Sequence, residues 1–258
     1  NRENPEVIAY INEEIAYTNQ VMKDTENLQK ELFNEMKSRI KPDDQSVPYL
    51  HNGYFYYVKY KQGLEYPVYY RRENSKENPE ECLLDTNELA KGHSYFDVSQ
   101  IEVSPDNRLM AYGFDNVSRR LYTICIKNLQ TGELLDVSIP NTSGSMAWAN
   151  DNQTIFYAEK DPETLRPYKI HRYYFGNSDS EDTVVYTEKD EAFITDVFST
   201  KSQKYVMIHA ESTMSDEYRF LDADNPKGAF TLVQKRKKGI EYTVSHLKDN
   251  FFLCTNYK

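Results

Sequence analysis

The sequence is short of several things at once, and each shortage removes a class of protein. It holds three cysteines in 258 residues. Cys82, Cys125 and Cys254 are odd in number and far apart, so neither a disulfide framework nor a zinc spacing is present. Set within apolar strands, they read as buried thiols of a reducing, cytoplasmic compartment. No apolar run approaches the roughly 20 residues of a membrane span, and no signal peptide opens the chain, although a first residue other than Met leaves room for processing. Lys and Arg number 31 against 41 Asp and Glu, a net charge of −10. That balance argues against a nucleic-acid or anionic-membrane surface and speaks first to solubility. The five histidines (His51, His93, His171, His209, His246) show no His-x-x-x-His or Glu-x-x-His spacing on a helix. A helical metal site therefore has no support, and no cofactor or metal is expected.

What is abundant is aromatic: 22 Tyr and 12 Phe against 9 Gly and one Trp, a composition suited to stacked sheets. The run Arg108-Leu109-Met110-Ala111-Tyr112 returns as Gln153-Thr154-Ile155-Phe156-Tyr157, Gln203-Lys204-Tyr205-Val206-Met207 and Asn250-Phe251-Phe252-Leu253-Cys254, with an earlier copy at Tyr54-Phe55-Tyr56-Tyr57. Turn formers such as Ser104-Pro105-Asp106-Asn107, Ala149-Asn150-Asp151-Asn152, Lys248-Asp249 and His51-Asn52-Gly53 precede them. Behind each of the first four copies comes a tyrosine-led strand, opening at Tyr66, Tyr122, Tyr168 or Tyr218. A third strand follows, at Cys82-Leu83-Leu84, Glu133-Leu134-Leu135, Thr183-Val184-Val185-Tyr186 or Phe230-Thr231-Leu232-Val233. A fourth leads into the next turn, as in Ile101-Glu102-Val103. Four short strands recurring every roughly 45 to 55 residues mark the blades of a β-propeller, with the tyrosine strands packed between neighbours.

The first 41 residues follow another rule. Asn4-Pro5-Glu6 is a helix start, and Ile8, Ile11, Ile15, Leu28, Leu32 and Met36 recur at helical spacing, which predicts one kinked or two consecutive amphipathic helices. Residues 1–41 are expected to be a helical arm that docks on something else. Residues 42–48, Pro42 to Pro48, form a linker, and 49–258 hold about four four-stranded blades of a truncated propeller. The fifth repeat has barely begun at Lys258, so the β region looks truncated, and the open blade faces or the arm are expected to self-associate.

No catalytic, cofactor-binding or metal residue is assigned. Gly92-His93-Ser94-Tyr95-Phe96 begins like the Gly-x-Ser-x-Gly elbow of serine hydrolases, but the closing Gly is missing and the segment precedes a strand instead of following one. Ser143-Gly144-Ser145 fails alike. The carboxylate pairs Glu80-Glu81, Asp179 with Glu181-Asp182, and Asp222 with Asp224 read as solvated turns. Lys235-Arg236-Lys237-Lys238 reads as a solvated hairpin between two strands. The acceptor patterns at Asn116, Asn141 and Asn152 are assigned no function.

The chain resembles the N-terminal part of the oligopeptidase B (protease II) branch of the prolyl oligopeptidase family. The likeness rests on Asn4 to Tyr10, Leu32 to Lys41 with Asp43-Asp44 and Val47-Pro48-Tyr49, Tyr66-Pro67 with Arg71-Arg72, and Gly92 to Phe96. It continues through Val103 to Asp106, Arg119 to Thr123, Asn141 to Ser145, Trp148 to Asp151, Phe156-Tyr157, Lys160 to Tyr168 and Leu221 to Asp224. The resemblance implies a helical arm, a seven-bladed propeller that filters substrates by size, and a C-terminal α/β-hydrolase domain carrying a Ser-Asp-His triad. Such enzymes cut short peptides after Lys or Arg. No family catalytic residue has a counterpart here. The expected function is therefore that of a non-catalytic, substrate-gating part of a serine oligopeptidase, with the hydrolase domain and oligopeptides as partners. The alternative is a free-standing propeller that binds a protein or peptide without chemistry; a glycan-cleaving propeller comes third.

Overall fold

The computed structural model describes residues 3–75, 77–176 and 181–257. It opens on two helices, α1 (Pro5–Met22) and α2 (Glu26–Ser38), joined by a single 3-10 turn at Lys23–Thr25. Asn4 caps α1 by accepting the Glu6 amide at 2.9 Å, and Pro5 occupies the first helical position, where its missing N–H costs nothing. No residue of either helix is buried. The apolar stripe is open: Ile8, Ile11, Ile15, Leu28, Leu32 and Met36 are each 44% exposed or more.

The remaining elements are almost all antiparallel strands in blades. Blade 1 holds β1 (Asp44–Gln45), β2 (Tyr49–His51), β3 (Tyr54–Tyr60), β4 (Val68–Glu73) and β5 (Glu80–Asp85), with β1 and β2 both paired to β3. A one-turn helix α3 (Thr86–Leu89), capped by Asp85, leads to blade 2: β6 (Asp97–Val103), β7 (Leu109–Asp115), β8 (Tyr122–Asn128) and the first half of β9 (Leu134–Trp148). Strand β9 serves two blades. Its first half pairs with β8 (Leu134 opposite Lys127, Ile139 opposite Ile124). Its second half is the innermost strand of blade 3, with Trp148 opposite Ile155 on β10 (Thr154–Lys160). Blade 3 continues through β11 (Pro167–Tyr174) and β12 (Glu181–Thr187). Blade 4 comprises β13 (Ile194–Ser199), β14 (Tyr205–Ser212), β15 (Ser215–Asp222) and β16 (Thr231–Gln234), and β17 (Tyr242–Leu247) with β18 (Asn250–Thr255) opens a fifth.

The repeat is visible in the turns as well as in the strands. After each of the inner strands β6, β9 and β13, one residue takes a left-handed conformation, Asn107 at φ 63°, Asn152 at 58° and Gln203 at 58°. Each donates its amide back to the carbonyl three residues earlier, Ser104, Ala149 or Thr200. Asn tolerates this region because its short polar side chain can bond locally; Gln203 adopts it without that advantage.

The core is a set of seams between blades, so no blade has a private interior. Tyr56, Leu83 and Leu84 of blade 1 meet Met110 and Tyr112 of blade 2. Ala111, Ile124 and Ile126 meet Met146, Trp148, Ile155 and Tyr157 of blade 3. Ala147, Phe156, Ala158 and Ile170 meet Val197, Val206, Ile208 and Leu221 of blade 4. Met207 and Tyr218 meet Tyr242, Val244 and Phe251 of blade 5. Face-to-face sheets of this kind are close-packed and take large rings well. The tyrosine strands contribute unevenly: Tyr218 is buried in a seam, whereas Tyr122 is half-buried and donates its hydroxyl to Asp97 at 2.6 Å.

Two expectations are corrected here. The cysteines are unpaired but not buried thiols, since Cys82 on β5 and Cys254 on β18 are exposed and Cys125 is half-buried. Both exposed ones lie on strands that are the last of their sheet, where one face has no neighbouring blade. The basic run is solvated at Lys235, Lys237 and Lys238, as expected, but not at Arg236. It links blade 4 to blade 5, and Arg236 turns inward onto the buried carboxylates of Glu188 and Glu217.

Candidate functional site

The innermost strands of the four blades surround a cavity of about 460 Å³ at the axis of the arc. Blade 1 contributes Tyr49, His51 and Tyr56, blade 2 Gln100 and Glu102, blade 3 Trp148, and blade 4 Ser199, Thr200 and Gln203. The hairpin turns form its rim and are bonded to one another. The Asn52 side chain donates to the Pro105 carbonyl at 2.6 Å, and that of Asn107 donates to the Asn52 carbonyl at 3.2 Å. The Asp106 amide donates to Asn152 at 2.9 Å, and Asn150 to the Gln203 carbonyl at 3.2 Å. Across the mouth, Gln203 Nε2 meets His51 Nε2 at 3.1 Å, which joins blade 1 to blade 4.

One charge stands out in this cavity. Glu102 is the penultimate residue of β6, with Ile101 and Val103 on either side, and its carboxylate receives Gln100 Nε2 at 2.6 Å. Among the described residues no cationic side chain lies within ion-pair distance of it, in contrast to Glu80, Glu81, Glu188 and Glu217. Burial pushes the Glu102 carboxyl above the usual carboxylate range, and the Gln100 bond opposes this only in part. Tyr49 is raised as well, first by burial and then by the Glu102 charge. The backbone carbonyl of Glu102 accepts the indole N–H of Trp148 at 3.0 Å, so the single tryptophan is tied to the same strand. Glu102 was within reach of sequence reasoning: a lone acid flanked by apolar residues in a repeat's innermost strand is the signal.

The residues weighed from sequence fall elsewhere. Ser94 lies in the loop between α3 and β6, with neither strand before it nor helix after it. Ser143 and Ser145 share a hydrogen bond of 2.6 Å within β9. Glu80 takes Lys59, Arg72 and the Tyr57 hydroxyl, Glu81 takes Arg71, and Asp224 takes Asn150, so these carboxylates tie strands and turns together and do not converge on a cleft. Asp179 lies outside the described residues. The pairing that spacing missed is Ser202 Oγ with His246 Nδ1 at 2.8 Å, across 44 positions. Ser202 sits in a hairpin turn, and the buried His246 ring lies edge-on to Tyr205 and Phe251, with no carboxylate bonded to it among the described contacts. Without an orienting group or an oxyanion hole, this pair lacks the machinery of an activated nucleophile.

Two ionic clusters belong to the blades themselves. His171 on β11 places Nε2 at 2.6 Å from Glu159 and Nδ1 at 3.0 Å from Asp182, while its ring stacks on Tyr157 at 4.8 Å. Burial works to lower the His171 pKa, but the two carboxylates outweigh it and the group is raised. His209 meets Asp216 at 2.7 Å and has Glu211 at 4.0 Å, one face of the β14–β15 hairpin bringing the three together. Such a trio has metal-ligand chemistry, yet Asp216 also accepts the Tyr242 amide at 3.0 Å and so works as a clasp between blades 4 and 5.

Comparison with known proteins agrees with this architecture. The model of the prolyl oligopeptidase N-terminal β-propeller domain matches residues 1–258. The chain is 40% identical to dipeptidyl aminopeptidase BI of Pseudoxanthomonas mexicana over 99% of its own length and 37% of the relative's. It is 32% identical to protease 2 of Moraxella lacunata, over 99% and 38%. Among solved structures it is similar to oligopeptidase B of Leishmania major, with a TM-score of 0.88, 29% identity, and coverage of 99% of this chain and 36% of that one. The chain thus spans little more than a third of the length of the relatives it matches. Matched by the family model over its whole length and 40% identical to a member of it, the chain belongs to the prolyl oligopeptidase family, as its N-terminal β-propeller domain.

Proposed function

We propose that these residues form the substrate-gating propeller of a serine oligopeptidase that hydrolyses short peptides on the carboxyl side of Lys or Arg, and that they carry none of its chemistry. The observation that supports this most directly is the match of residues 1–258 to the family's propeller domain, with relatives continuing well past the matched region. The arm, residues 1–41, is the surface on which a C-terminal α/β-hydrolase domain of the same protein would dock, while the open faces of the outer blades would receive the propeller's remaining blades. The arm's unburied apolar stripe supports that reading. Three unpaired thiols fit a reducing cytoplasm, and no helix among the described residues is long and apolar enough to cross a membrane.

The 258 residues alone should neither cleave arginyl or lysyl peptides nor react with a fluorophosphonate serine probe. The protein carrying the hydrolase domain should do both. Stoichiometric labelling of Ser202, the serine beside a histidine, or of Ser94 would overturn the proposal. The alternative, a propeller that binds peptide without catalysis, is favoured by the axial cavity. Comparing the intact mass of the natural protein with the 30.3 kDa of these residues separates the two readings.

A further inference from the structure

Glu102 is an anomaly of placement. A carboxylate withdrawn from water is ordinarily held by a cation or by several hydrogen bonds, because isolated burial of the charge is unfavourable. The other shielded carboxylates obey this rule. Asp115 accepts the amides of Val117, Ser118 and Arg120, and Glu188 and Glu217 share Arg236. Half-buried Glu102 has a single side-chain partner among the described residues, the neutral Gln100, and it lines an open cavity. The walls around it are aromatic: Tyr49 stacks on Tyr56 with centroids 5.6 Å apart, and His51 stands 6.3 Å from Tyr56. Trp148, held to the Glu102 carbonyl by its indole N–H, also lines the cavity. One carboxylate among ring faces is the arrangement that recognises an organic cation, the charge being met by the acid and the flanks by the negative faces of the rings.

We propose that the axial cavity is a binding site for a single ammonium or guanidinium group, with Glu102 as its counter-ion and Tyr49, Tyr56 and Trp148 as its walls. Gln100 positions the carboxylate, since its side chain is itself held at Met146, where its Oε1 accepts the amide at 3.4 Å. Lys201 at the rim disfavours a cation bearing several charges and selects for a singly charged group. The site stands on the cavity alone and does not depend on whether a hydrolase domain adjoins the propeller.

Trp148 is the chain's only tryptophan, so its fluorescence reports on this cavity without labelling. The chain is titrated above neutral pH with methylguanidinium, a small singly charged guanidinium ion, and in a second arm with the peptide acetyl-Gly-Arg-Gly-amide. Both should give a saturable change. Saturation by methylguanidinium alone would identify a site for small cations, and by the peptide alone or more tightly a site for basic peptides; either supports the assignment. E102Q, which keeps the shape and the bond to Gln100, should bind at least tenfold more weakly, and Tyr49→Leu, on a residue 62% exposed, should weaken binding several-fold. E102Q should melt no lower than the wild type, because an unpaired charge has been removed; that melt separates lost binding from lost folding. No saturable change in either arm, or equal affinity in E102Q, overturns the assignment.

Discussion

Replacing Arg236 by Met tests how blade 4 is held to its neighbours. The guanidinium bonds Glu188, lies 3.2 Å from Glu217, and covers the Phe193 ring at 3.8 Å. Both carboxylate side chains are 5% exposed and the arginine 23%. Methionine preserves much of the apolar stem but strips Glu188 of its cation and leaves Glu217 with Arg219 alone, and breaking one such buried pair costs about 3–5 kcal/mol. Since Arg236 keeps some access to water, the lower end, about 3 kcal/mol, is the expected loss. Burial pushes Glu188 and Glu217 up, but Arg236 and their hydrogen bonds outweigh it and hold both below the usual range. Their contribution is therefore present above the unfolded carboxylate pKa and is lost as pH falls through the lower folded value. In R236M Glu188 keeps only the Tyr186 hydroxyl and the Asp190 amide, and Glu217 keeps Arg219 and the amide of residue 236, so burial weighs more, the two acids protonate more readily and the defect should shrink on acidification. Hydrogen exchange of the β15 and β16 amides is the suitable assay, because blades can open one at a time. Adding Glu188→Gln and Glu217→Gln to R236M should recover most of the loss. A defect under about 1 kcal/mol, the range of exposed ion pairs, or one unchanged between neutral and acid pH, would refute the reasoning.

Three further outcomes are expected. His171 should titrate above the ordinary histidine value in an NMR experiment; its contribution is full below the unfolded pKa and fades as pH rises through the folded one, so the gap between wild type and His171→Gln should narrow in alkali. Gly144 takes φ 86°, and a Cβ there would lie 2.4 Å from Ser99 Oγ, so Gly144→Ala should cost at least about 1–3 kcal/mol from the backbone strain alone, read by urea unfolding. Phe252 and Leu253 on β18 are 55% and 45% exposed and the arm's stripe is open, so light scattering should show a mass that rises with concentration, and a clean monomer throughout would count against self-association through these faces.

The strand repeat and the helical arm were legible in the sequence because both depend on local rules. Turn chemistry at Asn52, Asn107 and Asn152 and the apolar runs behind them follow from neighbours in the chain. So does the cap of α1 by Asn4 and Pro5, and so do the shortages that left no metal spacing or hydrolase elbow to follow. The assignment of Cys82 and Cys254 to the interior failed because apolar neighbours mark a strand, not which of its faces has another blade against it. The basic run misled for a related reason: charge along the sequence is silent about Glu188 and Glu217, which approach Arg236 from 48 and 19 positions away. Glu102 and its cavity lie at the same limit. That β6 carries an acid is written in the sequence. That Tyr49, Trp148 and Gln203 close around it, with no cation within ion-pair distance among the described residues, is decided only when four innermost strands from distant repeats converge on one axis, because side-chain contacts of that range are fixed by packing and not by local preference.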